Sequence, residues 1–272
     1  MADTSLLFFA VAGFAVFFVA LAKAGFGGMI GSLGMPLVAS VSDIQTAITI
    51  LLPTYVVMDL IVAVIYRKSV PFALLWRMAL AGIAGVLLAA YMFQSVNPDL
   101  VAILLGIISL LLGLRFFRDR VAGGGPVLPA TPDHRWRWRR GVILNGASGF
   151  TSFFLMGEAP VQAFVLPLRL APQVYVALLV WFFFIVNWIK IPIVLSMGLV
   201  TIDSLWISAL LLPIMPVGIL VGKFIATRIR REPFYVIVHV LLIALGCYLI
   251  ASGAWHLQDA VASEIDPVAA LQ

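Results

Sequence analysis

Apolar residues in this chain run on without a polar face for lengths that match a bilayer. A helix rises about 1.5 Å per residue, so about 20 apolar residues cross the hydrocarbon core. Six stretches meet that length: 46–66, 72–94, 99–117, 172–198, 204–227 and 234–255. Each closes on polar, turn-forming or interfacial residues: Tyr66-Arg67-Lys68, Gln94 to Asp99, Arg115 to Arg118, Gly198 to Asp203, Arg228 to Glu232, and Trp255-His256.

Two further apolar regions are interrupted. Region 5–41 runs to Leu21, then carries Lys23, Gly25-Phe26-Gly27-Gly28, Gly31, Gly34 and Pro36. Region 141–168 carries Asn145-Gly146-Ala147-Ser148-Gly149, then Gly157-Glu158-Ala159-Pro160 and Pro167. Broken backbone at membrane depth is tolerated only inside protein or beside a water-filled cavity. Each region therefore predicts a hairpin of two short helices or a re-entrant loop. The alternative for the N-terminus, a signal peptide with Ala22-Lys23-Ala24 as its cleavage site, fits less well. Asp3 stands where a positive charge is expected, and the apolar run is long.

Composition agrees with a bilayer as solvent. The 272 residues are 63% hydrophobic and 11% charged, with a mean hydropathy of +1.14. Soluble domains run roughly 45–50% apolar and about 25% charged. Disorder, a secreted disulfide scaffold and a nucleic-acid-binding domain are excluded; Cys247 has no second cysteine to pair with. The basic pI of 9.7 and the segment Arg135-Trp136-Arg137-Trp138-Arg139-Arg140 would suggest nucleic acid in a soluble chain. Beside a span, alternating tryptophan and arginine are an interfacial anchor.

Basic residues mark cytoplasmic loops. Fifteen of the 17 lysines and arginines fall in loop 67–77, linker 118–140 and its flank at Arg115, Arg169, and the turn around 223–231. Asp3, Asp43, Asp99, Asp203, Asp259, Glu264 and Asp266 fall on the other side, where no basic residue stands. For this sidedness to hold, 141–168 must begin and end inside, and 5–41 must begin and end outside. The expected fold is therefore an all-α polytopic membrane protein of two inverted-topology repeats. Repeat 1 covers 1–117 and repeat 2 covers 141–256, each a broken or re-entrant hairpin plus three spans. The cytoplasmic basic linker 118–140 joins them, and a periplasmic tail, 257–272, follows. Gly25-Phe26 answers Gly149-Phe150, and Leu111-Leu112-Gly113 answers Ala244-Leu245-Gly246. Such repeats with broken helices are the architecture of secondary transporters, whose site lies at the midplane.

Lys23-Ala24-Gly25-Phe26-Gly27-Gly28 with Pro36, and Gly149-Phe150 with Gly157-Glu158-Ala159-Pro160, resemble the TauE/SafE family of sulfite-exporter-like anion transporters. Asn187 with Lys190 and Pro192, and the closing Gly218 and Gly222, are similar to the family's second repeat. The likeness covers nearly the whole chain. It implies export of small oxyanions, often sulfur-containing, or of organic sulfonates and carboxylates. Glu158 departs from a common Gly-Gly-Pro pattern, which bears on whether the second hairpin only accepts anions.

Four ionisable residues remain at membrane depth: Lys23, Asp59, Glu158 and Lys190. Each costs at least about 2.5–3.5 kcal/mol at the centre of a span, and so needs a partner, a cavity or a function. Lys23 precedes Gly25, Phe26, Gly27 and Gly28, whose backbone N–H groups can form an anion nest; otherwise Lys23 snorkels. Glu158 either exchanges protons as a coupling group or forms a salt bridge to Lys23 or Lys190 that holds the hairpins together. Asp59 and Lys190 occupy related positions in the two repeats and either line the access routes or snorkel. Asn187 lies one turn before Lys190, making a polar half-site. Ser148, Thr151, Ser152 and Gly157 complete the candidate binding set, although hydroxyls are also helix-packing groups.

No catalytic or nucleotide-binding pattern is present, and His134, His239 and His256 are too scattered for a metal site. The expectation is a non-enzymatic secondary transporter of the bacterial inner membrane with both termini periplasmic. It exports a small anion by alternating access without a cofactor, with protons as candidate coupling ion. An uncoupled anion channel is the alternative, and a membrane-embedded enzyme a more distant one.

Overall fold

The computed structural model describes residues 6–28, 31–42, 44–93, 95–121, 134–155, 158–196 and 202–265. Gly157, Asp3, Asp43, Asp266 and the Gly/Pro-rich stretch 122–133 lie outside them. Among the described residues all regular structure is helical: α1 Leu6–Phe26, α2 Gly34–Ala39, α3 Ile44–Tyr66, α4 Phe72–Tyr91, α5 Pro98–Val121, α6 His134–Leu155, α7 Glu158–Val165, α8 Pro172–Ser196, α9 Ile202–Leu211, α10 Met215–Arg228 and α11 Arg231–Ile265, with short 3-10 turns between some of them. Among the described residues, seven stretches are long and apolar enough to span a membrane. Leu87, Leu104, Leu111, Trp206, Leu220 and Phe224 are each more than half exposed, so the outer surface suits lipid and not water. This is a multi-pass membrane protein.

Both interrupted regions, expected as a hairpin of two short helices or a re-entrant loop, form a long helix followed by a short one. α1 runs unbroken for 21 residues because no proline interrupts it before the glycines. It stops at Gly27 and Gly28, whose φ angles of 74° and 96° are open to glycine at little cost. Gly27 N–H donates to the Lys23 carbonyl at 3.2 Å and Gly28 N–H to the Ala22 carbonyl at 3.0 Å. The chain then returns through a 3-10 turn and the six-residue α2. In the second region α6 absorbs the Arg/Trp segment into its first turns, and the eight-residue α7 makes the return.

The expected span 204–227 is present as the membrane-length stretch Ser204–Arg228. Inside it a 3-10 turn, Leu212–Ile214, separates α9 from α10, where Pro213 and Pro216 lack the N–H a continuous helix needs. Helix α11 continues past residue 255 to Ile265, so the first part of the expected tail is helical. His256 Nδ1 on that extension meets Asp99 Oδ1 at 3.2 Å.

Helices α3 and α8 pack together at the centre and carry large side chains with almost no exposure, among them Tyr55, Met58, Tyr175 and Phe182. The pairs α1–α10 and α4–α6 flank them. Each pair is drawn close at glycine: a Cβ on Gly25 would stand 3.2 Å from Gly222 Cα, and one on Gly149 would strike the Gly82 carbonyl. Helices α5 and α11 pair to one side and reach the rest through contacts of α5 with α6 and α7 and through Phe234 of α11 against Phe26 and Tyr175. Exchanging the two halves of the chain maps α1–α10 onto α6–α4, and leaves α3–α8 and α5–α11 unchanged.

Candidate functional site

The hairpin breaks meet the middles of α3 and α8. Asp59 is fifteen residues into α3 and Asn187 fifteen into α8, each about 22 Å along its own helix. From the other ends, Tyr66 and Ser196, they stand seven and nine residues in, and Asp59 is only 1% exposed. Four residues from the C-terminus of α1, Lys23 directs its Nζ to Asp59 Oδ1 in a buried ion pair. Asn187 Nδ2 donates to the other carboxylate oxygen, Oδ2, at 2.5 Å. One carboxylate thus accepts from both halves of the chain. Asp59 closes the ion pair with Lys23.

Lys190 sits one turn beyond Asn187 and donates from Nζ to the Ser152 backbone carbonyl at 2.9 Å. Ser152 is close to the C-terminus of α6, where carbonyls lack helical partners and the dipole is negative, a favourable seat for an ammonium. Glu158 is the first residue of α7, where the helix end is positive and favours a carboxylate. Its Oε1 lies 2.7 Å from the place a Cβ on Gly28 would take, and Lys23 Cγ lies 3.6 Å from the same point. Glu158 forms no ion pair within 4 Å among the described residues, and its Oε2 has no hydrogen-bond partner there. Lys23, Glu158 and Lys190 are all buried.

The other sequence candidates fall into a supporting shell. The Gly27 and Gly28 amides are engaged in capping α1, so positive charge here comes from the two lysines and not from a nest at a helix start. Phe26 stacks on Phe234 at 5.9 Å, and Gly25 packs on Gly222. Thr151 and Ser152 direct their hydroxyls to backbone carbonyls of α6, at Ala147 and Gly149. Ser148 is fully buried on the same helix.

Three residues that join or adjoin the cluster were not singled out from the sequence. Tyr55 lies under Lys23, with Nζ 5.1 Å from the ring centroid, and donates its hydroxyl to the Gly31 carbonyl at 3.2 Å. Tyr66 donates to the Ala24 carbonyl at 2.7 Å and ties α3 to the end of α1. Gln162 lies one turn after Glu158, fully buried. Uncharged residues in apolar runs give little one-dimensional signal; the four-residue spacing from Glu158 was the only clue to Gln162.

A cleft of about 360 Å³ between α1, α2 and α11 is lined by Phe14, Phe18, Leu33, Leu37, Ser40 and Tyr248. It contains no ionisable group that suits an anion, so the polar chemistry belongs to the enclosed cluster. Two lysines and two acidic side chains, all buried, make up that cluster.

The family model described as Sulfite exporter TauE/SafE matches residues 10–249, a range holding both breaks and all four buried charges. No curated protein and no solved structure matches the chain.

Proposed function

From the premise that the chain belongs to the TauE/SafE sulfite exporter family, a family of membrane transporters, we propose that it exports a small anion across the inner membrane by alternating access. The substrate class is sulfite, an organosulfonate, or a related sulfur-containing or carboxylate anion. One observation carries this reading: Asp59 sits between Lys23 and Asn187 as an anion would, buried where the breaks of both hairpins converge. The substrate replaces the Asp59 carboxylate at these two donors, and Lys190 supplies the second cation. When substrate leaves, Asp59 returns and neutralises Lys23, so the unloaded carrier does not hold a bare charge at membrane depth.

The closed environment of the cluster favours a carrier over a continuously open pore. The packing of the two halves supports inverted repeats, because the same helix pairs recur when the halves are exchanged. The sidedness gains support from contacts between residues assigned to one surface. Arg77 lies 4.3 Å from the Trp138 ring, both on the cytoplasmic side, and His256 meets Asp99, both on the periplasmic side. Both termini are then periplasmic.

A cytoplasm-negative potential drives an anion outward by about 2.3 kcal/mol per charge per 100 mV. Proton exchange belongs to Glu158, whose Oε2 has no partner among the described residues and whose Oε1 lies toward Gly28 and the stem of Lys23. Counterflow in proteoliposomes tests the proposal. Radiolabelled sulfite uptake is expected to saturate and to be accelerated by sulfite on the opposite side. A conductance that grows linearly with sulfite, without trans-acceleration, contradicts the carrier.

A further inference from the structure

Beside the charge cluster lies a polar pair that the exchange at Lys23 does not use. Gln162 is fully buried, and neither its Oε1 nor its Nε2 has a hydrogen-bond partner among the described residues. It follows Glu158 by one helical turn, so the two side chains share a face of α7. Glu158 Oε2 is unpartnered as well. Buried polar atoms without partners cost stability and are rare in native interiors. Three of them stand on adjacent turns of one short helix, whose first residue, Glu158, reaches Gly28 and the stem of Lys23 with its other oxygen, Oε1.

The chemistry of these atoms selects the ligand. An ionised Glu158 and the Gln162 carbonyl accept hydrogen bonds, and the Gln162 amide donates one. The lysines across the site only donate. A molecule that satisfies both sides has an anionic head and, a few atoms away, a group carrying N–H or O–H. We propose that Glu158 and Gln162 form a second subsite that selects anions bearing a hydroxyl or ammonium group. The inference rests on the anion-carrier reading above and specifies its substrate class. It also gives proton exchange a physical origin: Glu158 holds either a proton or the donor of the substrate, so the two exclude one another.

Calorimetric titration of the purified protein with ethanesulfonate, 2-hydroxyethanesulfonate and 2-aminoethanesulfonate tests this directly. The two donor-bearing sulfonates are expected to bind at least about tenfold more tightly than ethanesulfonate, since a site with unpaired polar groups rejects a ligand that leaves them unpaired. Gln162→Leu is expected to remove that preference and leave ethanesulfonate affinity within about twofold of wild type, an interaction of about 1.4 kcal/mol per tenfold being lost only for the donor-bearing ligands. Equal binding of the three by wild type, or a preference that survives in Gln162→Leu, overturns the subsite and leaves the anion reading standing. Sulfite binding without any sulfonate binding does the same. Absence of binding by all four brings down the anion reading together with the subsite. Thermal unfolding adds a readout independent of ligand. Gln162→Leu and Gln162→Met are expected to unfold at or above the wild-type temperature, because an unpaired amide is removed. A lower unfolding temperature in both identifies the amide as a structural group and overturns the proposal.

Discussion

At the first hairpin break the polar groups satisfy one another. Gly27 and Gly28 cap α1 through their own amides, Tyr55 and Tyr66 bond to carbonyls of the break and of α1, and Lys23 is paired with Asp59. At the second break Lys190 caps α6, but Glu158 Oε2 and both polar atoms of Gln162 remain without partners among the described residues. The halves share an order of elements and differ in how completely they are hydrogen-bonded. The saturated break holds a position that an anion can take over by exchange. In the proposed carrier the unsaturated one gives up stability for recognition, a trade found where a site must bind something other than the protein itself.

Substitution at Lys23 should produce the largest effect. Lys23→Met leaves the Asp59 carboxylate buried with Asn187 as its only described donor, and is expected to cost about 3–5 kcal/mol of stability along with sulfite binding. Adding Asp59→Leu to it should restore the unfolding temperature without restoring binding. Recovery of transport in the double variant would place the anion seat elsewhere. At the second break the effect should fall on proton dependence. Wild-type export is expected to quicken as the external side is acidified, since protons entering at Glu158 clear it for the return leg. Glu158→Gln should flatten that dependence and leave the fold intact; an unchanged pH profile would remove Glu158 from the coupling step. The smallest effect is expected from Ser152→Ala. Its hydroxyl bonds to its own helix while Lys190 uses the backbone carbonyl, so transport should change by less than about twofold. A large loss would show that the hydroxyl meets the substrate.

The spans were legible because hydropathy over a bilayer length is a strong one-dimensional signal, and the four buried charges because each is costly in hydrocarbon. Their pairing was not. Lys23 and Asp59 are 36 residues apart, and nothing in the spacing distinguishes Asp59 from Glu158 as the partner. The spacing of Asp59 and Lys190 carried no contact, and Asn187, one turn before Lys190, is the α8 residue that donates to Asp59. The glycine run carried the correct position of the break but not its polarity. A glycine cluster can open a helix or close one, and only the positive φ angles of Gly27 and Gly28 decide that it closes α1. The 3-10 interruption before α10 was foreshadowed by Pro213 and Pro216, whereas the reach of α11 to Ile265 runs through a polar segment that hydropathy does not mark.

Sulfite titration of Asp59→Asn against wild type tests most directly whether Asp59 occupies the anion's place. Asparagine keeps the shape and removes the competing charge, which leaves Lys23 buried without its carboxylate. Sulfite is expected to bind this variant at least about tenfold more tightly than wild type, with counterflow reduced because substrate release loses the returning carboxylate. Equal or weaker binding by Asp59→Asn, in a variant that remains folded, would contradict the exchange on which the account rests.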